Sequence, residues 1–233
     1  MESNNHFNLK PSIGGSFSHG WSKIFGAQFL PLLLTVIIVG LLNGPSYSFK
    51  MDHGNWGPML FLLPIALFGL AYAFLFLPVL KYGRDYIYLQ AMRDEEADLK
   101  SLFEGFRSKY LNIILANLIV YALVLLGLMM LIIPGIIVLC RLAFVSYLVM
   151  DKDMEPMKAV EKSWNMTRGH GWKVFGLAIV SFFVFIGGLI VFLVGALIAL
   201  MWIHSAFASL YVAVQNETED DDNPIPILGV NEK

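Results

Sequence analysis

The sequence predicts an all-α membrane protein with six transmembrane helices, and three observations predict it. Apolar residues make up 57% of the chain and charged residues 15%, with a mean hydropathy of +0.66. Soluble domains sit nearer roughly 45–50% apolar and 25% charged. The apolar residues lie in long uninterrupted runs, and Lys and Arg concentrate in two of the segments between those runs.

A bilayer core of about 30 Å takes roughly 20 apolar helical residues. The first run covers residues 27–43 (AQFLPLLLTVIIVGLLN) and the second 59–80, rich in Leu, Phe and Ala. The third covers 110–133, where Pro134-Gly135 breaks it, and a shorter fourth continues over 136–150. The apolar stretch from Val174 to Val214 is too long for one span at about 1.5 Å per residue. It is expected to fold back at Gly195, giving spans 174–194 and 196–214; a turn at Gly187-Gly188 would leave the first arm too short. Residues 1–15 are polar and offer no apolar h-region of a signal peptide, so the first run is expected to be a retained anchor.

Orientation follows from the cations. Lys81, Arg84, Arg93, Lys100, Arg107 and Lys109 lie between spans two and three, and Lys152, Lys158, Lys162, Arg168 and Lys173 between spans four and five. The loop between spans one and two carries only Lys50, and the turns at Pro134 and Gly195 carry none. Positive-inside sorting then puts both basic segments and both termini in the cytoplasm. A re-entrant fourth run would move the second basic segment outside, against its cations. Trp21, Trp164 and Trp172 fall at the inner interface and Trp56 at the outer one, as an aromatic belt does.

Within the basic segments the period changes. Leu99, Leu102, Phe103 and Phe106 recur at helical spacing behind Asp98, a candidate N-cap. Met157, Val160 and Trp164 make a similar stripe between Pro156 and Gly169, which suit a helix start and stop. Phe17, Trp21, Ile24 and Phe25 make a third. In each, a small residue precedes an aromatic one: Gly20-Trp21, Gly105-Phe106, Ser163-Trp164. Apolar residues beside a membrane lie on its surface. The chain thus reads as three units, each an interfacial amphipathic helix followed by a helical hairpin, an internal repeat of the kind membrane folds use. The six-helix domain covers 16–215, and an acidic, disordered cytoplasmic tail covers 216–233.

The segments HGWSKIF, DLKSLFEGFR, IIPGIIVLCRLAFVSYLVMD and AVEKSWNMTRGHGWKVF together resemble the bacterial membrane families that include the YciC-like proteins and the glycerophosphoryl diester phosphodiesterase membrane domain. The resemblance covers roughly residues 16–215. It implies a six-helix protein of the bacterial inner membrane. It does not imply phosphodiesterase activity, which in such enzymes belongs to a separate soluble barrel.

Chemistry is sparse. On these boundaries the spans contain no Asp or Glu, which argues against a proton- or sodium-coupled transporter. Arg141 lies within the fourth span, where a lone Arg costs about 2.5 kcal/mol or more. It calls for polar partners, either Asn117 and Tyr121 of the third span or carbonyls freed near Pro134. Its role is to hold spans three and four together, or to bind a lipid phosphate or anionic solute. His204 in the last span is expected to be neutral and bonded to a neighbouring helix. Gly69 and Ala73 form a small-xxx-small pair suited to close packing. The other histidines, His6, His19, His53 and His170, are scattered, and no metal, cofactor or hydrolase motif is recognisable. A net charge of −2 excludes a basic face for nucleic acid. Cys140 is the only cysteine, so no intramolecular disulfide forms. The expected protein is non-catalytic and acts through membrane lipids or through a membrane or cytoplasmic protein partner, the apolar patch 225–230 being one docking candidate. The alternative is a transporter or channel for an uncharged or anionic solute with Arg141 in its pathway.

Overall fold

The computed structural model describes residues 11–24, 28–43, 57–190 and 192–222. Expectations for His6, His53, Trp56 and residues 225–230 fall outside them. The described chain is helical, without strands. Three times, a short helix is followed by long helical segments. The first unit is α1 (Ile13–Ile24), α2 (Phe29–Asn43), α3 (Gly57–Ala71), a π-helical turn (Tyr72–Phe76) and α4 (Leu77–Met92). The second is α5 (Ser101–Arg107), α6 (Tyr110–Met130), α7 (Ile132–Arg141) and α8 (Val145–Asp151). The third is α9 (Pro156–Met166), α10 (Gly171–Ile190) and α11 (Phe192–Asp222).

Five helical stretches are long and apolar enough to cross a membrane: Ala66–Met92, Tyr110–Met130, Ile132–Asp151, Gly171–Ile190 and Val194–Thr218. The bent pair α1 and α2 makes a sixth if it counts as one span. Large apolar side chains cover their outside, including Leu111, Leu118, Leu126, Met129, Phe182 and Phe183, all of them exposed. In water such a surface would be untenable. Lipid is the solvent it fits.

Several boundaries differ from the sequence reading, each for a physical reason. The helix that carries the second span does not end at Leu80; it runs to Met92 and takes Lys81, Arg84 and Asp85 with it. No breaker stands between Leu80 and Met92, and the charges find partners inside the bundle. Pro78 has no N–H to give Phe74, and the π-helical turn just before it absorbs the lost bond.

The break between the third and fourth spans falls at Leu131, which is extended (φ −171°, ψ 160°), and not at Pro134-Gly135. Pro134 sits in the first turn of α7, where its missing N–H costs nothing. Gly135 instead lets the two arms touch: a Cβ there would lie 2.6 Å from Leu128 Cγ. The same substitution of roles holds for the last hairpin. α10 ends at Ile190 and α11 begins at Phe192, so Gly195 lies inside α11. A Cβ on Gly188 would come 2.7 Å from the Gly195 carbonyl oxygen. Glycine is used here for close approach of helices.

The acidic residues after Gln215 begin as helix, since α11 continues to Asp222. The buried turns before them have already met the nucleation cost. Thr218 Oγ1 donates to the Val214 carbonyl (2.8 Å), and Glu217 meets His170 at 3.2 Å. In the short helices, Leu99 precedes α5, because Asp98 Oδ1 accepts the Lys100 amide in a turn (3.0 Å). Phe103 and Met157 are exposed, and the buried face of α9 is Ala159, Val160, Ser163 and Met166. Gly69 faces open space; a Cβ added there would have nothing within 4 Å, so it mediates no helix contact.

The small residue of each small–aromatic pair is a point of close packing. A Cβ on Gly20 would stand 3.1 Å from Ser205 Cβ in α11, and one on Gly105 would stand 2.9 Å from Val79 Cγ1 in α4. Ser163 is fully buried and its Oγ donates to the Arg141 carbonyl (2.8 Å) at the end of α7. Each short helix therefore lies against the closing helix of a hairpin. In the centre α4 packs against both α8 and α11, and α8 reaches α11 through Tyr147 on Tyr211, while α6 and α10 face outward.

Candidate functional site

The central helices carry a recurring tyrosine. Tyr88 in α4, Tyr147 in α8 and Tyr211 in α11 are all buried. Tyr147 stacks on Tyr211 with ring centroids 5.0 Å apart, and Tyr88 stacks on His204 at 5.3 Å. Tyr88 also donates to the Leu32 carbonyl of α2 (3.2 Å). At equal distance beyond Tyr88 and Tyr147 stand Asp94 and Asp153, both in the left-handed conformation (φ 60° and 51°) that Asp tolerates better than most residues. Superposing the three tyrosines in sequence aligns Lys81 with Cys140 and His204, and Arg84 with Ala143 and Phe207.

Just beyond these tyrosines lies a first polar layer. Arg93 at the end of α4 grips Asp151 at the end of α8 through both carboxylate oxygens (2.5 and 2.9 Å). The same guanidinium reaches Gln215 Oε1 of α11 (2.7 Å), and Tyr211 donates to Asp151 Oδ2 (3.1 Å). One cluster thereby locks the three closing helices. Burial disfavours a charged Arg93, but the Asp151 carboxylate more than offsets it and its pKa is raised. Around this layer, Lys23 pairs with Asp94, Lys109 with Asp153 (3.4 Å), and Gln28 with the Glu95 carbonyl. Lys109 Nζ also caps α8 by donating to the Met150 carbonyl (2.8 Å). Among the described residues, the polar connections are gathered at one end of the bundle.

A second layer lies deeper. Asp85 is buried at 6% exposure; Arg84 donates to its Oδ1 through Nε and Nη2 (3.1 and 2.9 Å), and Ser146 Oγ donates to its Oδ2 (2.8 Å). Asp85 lies beyond the span expected to end at Leu80, and within the helical stretch Ala66–Met92 that is long and apolar enough to cross a membrane. Beside it opens a chamber of about 350 Å³. Its polar wall includes Lys81, Arg84, Asp85, Asn117, Ser146 and His204; its apolar wall includes Val120, Leu139, Ile203 and Phe207. Five of the six positions aligned by the tyrosines, all but Cys140, line it, so the chamber lies where the three units meet.

The four residues singled out from sequence are not brought together. Asn117 (3% exposed) and His204 line the chamber. His204 bonds within its own helix, Nδ1 donating to the Leu200 carbonyl at 2.7 Å, and not to a neighbouring one. In a neutral ring so bonded, Nε2 is left as an acceptor. Tyr121 is 46% exposed and meets Phe74 edge-on at 6.0 Å. Arg141 is absent from the chamber wall; its guanidinium lies over the Trp164 ring at 5.7 Å, and its carbonyl accepts from Ser163 and Thr167. Its guanidinium thus meets Trp164 of α9, and its Nη1 is buried without a hydrogen-bond partner among the described residues. Trp21 is 44% exposed against Trp202 of α11, with centroids 4.7 Å apart. Among the described residues no cluster of three or more His, Cys, Asp or Glu side chains could hold a metal ion.

The residues sequence reasoning passed over are Asp85, Ser146 and the tyrosine triplet. Their signal was present as the matched stretches KYGRDYIYL, CRLAFVSYL and HSAFASLYV. The model of a family described as Domain of unknown function (DUF7847) matches residues 102–218, half of the chain. No curated protein and no solved structure matches.

Proposed function

This chain belongs to the DUF7847 family, and we propose that it is a non-catalytic multi-pass protein of the bacterial inner membrane that works by holding lipids or a protein partner. The observation that carries this reading is the occupation of Asp85 and Asp151. Asp85 is engaged by Arg84 and Ser146, and Asp151 by Arg93 and Tyr211. A general acid or base needs a carboxylate free to reach substrate; these two brace helices. The resemblance to YciC-like proteins and the distribution of Lys and Arg support the inner membrane, with both termini on the cytoplasmic side. The short helices α1, α5 and α9 would then lie at that interface, amphipathic face to the bundle. Gathering of the polar connections at one end of the bundle supports the same orientation.

Native mass spectrometry of the protein, extracted gently from its own membranes, tests the reading. Stoichiometric retention of a protein companion or of phospholipid is the expected outcome. A bare monomer that gains neither when membrane extract is added back would overturn it.

A second reading, transport of an uncharged or anionic solute, draws on the chamber between the closing helices and no longer on Arg141. Solute flux into liposomes holding the purified protein, above that of empty liposomes, would favour it.

A further inference from the structure

We propose that the chamber between α4, α6, α8 and α11 binds a singly charged phosphate group, carried on a lipid headgroup or free in solution. The proposal deepens the contact-making reading above and rests on it.

The charge in the chamber is unbalanced. Lys81 and Arg84 line it, and the acid on its wall is Asp85, which Arg84 already engages. One positive charge is left over. Lys81 is exposed where it lines the chamber, with Asp85 the carboxylate near it, so its ammonium is accessible to an anion entering there. The guanidinium of Arg84 spends Nε and Nη2 on Asp85 and has further N–H groups beyond them. Asn117, buried on the facing helix α6, adds an amide that can donate to an anionic oxygen. His204 Nδ1 is spent on the Leu200 carbonyl of its own helix.

That surplus of one matches a phosphodiester, which carries one negative charge, better than free phosphate, which carries between one and two near neutral pH. Shape gives the same answer. Val120, Leu139, Ile203 and Phe207 add apolar surface to the lining. A headgroup with its glycerol and the start of a chain would cover that surface, and a bare phosphate would leave it wet. The volume, about 350 Å³, is in the range of small-ligand sites, roughly 300–1,000 Å³, and holds a headgroup but not whole acyl chains. Those would run out along the apolar outside of the bundle.

Titration calorimetry on the full chain in detergent micelles tests this with three probes. They are dihexanoyl phosphatidylglycerol (one negative charge), dihexanoyl phosphatidylcholine (zwitterionic) and inorganic phosphate. Two variants accompany the wild type. Lys81→Gln removes the surplus charge at an exposed position, and Ala143→Leu fills the chamber from its wall without touching charge. Thermal unfolding of each variant reports on folding. The phosphatidylglycerol is expected to bind one site, more tightly than the other two probes. Lys81→Gln should weaken it by about tenfold or more, as loss of a charge-assisted contact does. Ala143→Leu should abolish it with the unfolding midpoint unchanged. If inorganic phosphate binds as tightly and competes, the phosphate site stands and its source is the free ion. If Ala143→Leu does not fold, Lys81→Gln decides alone. Unaltered phosphatidylglycerol binding in a folded variant overturns the site, as does no binding to the wild type. Lipid retained from native membranes in that event would leave the broader contact reading intact, so the two failures are distinguishable.

Discussion

The closing helices of the three units and the helices that precede them are both apolar, yet they do opposite work. In the stretch Val194–Thr218, 61% of the apolar window is buried in the protein, against 17% in Gly171–Ile190 just before it. Ile132–Asp151 (44%) and Tyr110–Met130 (22%) repeat the contrast in the second unit. The inner set carries the tyrosine triplet, Asp85, Asp151 and Arg93; the buried polar groups of the outer set are the uncharged Asn117 and Ser181. Lipid tails are as apolar as Leu, so burying one more Leu gains little in a membrane. What separates inside from outside is who satisfies the polar groups and where backbones come close.

The strongest blow to that contrast is at the inner set's ion pair. Arg93→Met should cost about 3–5 kcal/mol, because it leaves the largely buried Asp151 carboxylate uncompensated. Arg93→Met combined with Asp151→Asn should recover part of the loss. Reversible unfolding in mixed micelles measures both, and equal stability of single and double variants would show that the pair does not hold α4 to α8.

Backbone approach comes next. A Cβ on Gly83 in α4 would stand 2.8 Å from the Leu102 carbonyl carbon of α5, so Gly83→Ala should cost about 1–3 kcal/mol. Gly187 in α10 has nothing within 4 Å, and Gly187→Ala should be neutral or slightly stabilising through helix propensity. Similar unfolding midpoints for the two would erase the distinction between sets at the level of packing.

Side-chain truncation sharpens it further. Leu148→Ala, at 2% exposure, should cost about 1–2 kcal/mol, the cavity share of the roughly 2–5 kcal/mol seen in aqueous cores. Leu126→Ala, at 60% exposure to lipid, should stay within about 0.5 kcal/mol. The smallest effect belongs to Arg141→Leu. It removes a cation stacked on Trp164 and should cost about 0.5–1 kcal/mol without altering phospholipid retention. Loss of retained lipid in that variant would return Arg141 to the centre of function.

Particular residues show how far the sequence was legible. The three-unit order was readable from the small–aromatic pairs, because Gly20, Gly105 and Ser163 each precede a hairpin and each sits at a crowded crossing. Asp85 was not readable as an intramembrane acid. Hydropathy alone ends the span at Leu80, and only Ser146 and Arg84, folded beside it, make its burial tolerable. Pro134, Gly135 and Gly195 were misread as turns. They are residues that permit turns, and in a packed hairpin they also permit contact. Arg141 looked like the intramembrane charge of note, yet Trp164 of the next short helix covers it.

Composition and the spacing of apolar runs determined by themselves that this is a helical membrane protein built of short helices and long hairpins. Backbone polar groups in hydrocarbon must be satisfied within each segment, and a run of Leu, Ile and Phe leaves the helix as its solution. The tertiary structure alone decided which long helices lie inside, which charges enter the bundle, and where the polar chamber opens. Those outcomes depend on partners far apart in the chain, as Arg93 depends on Asp151 and Gln215, and no local pattern encodes a bond whose two ends meet only after the hairpins have packed.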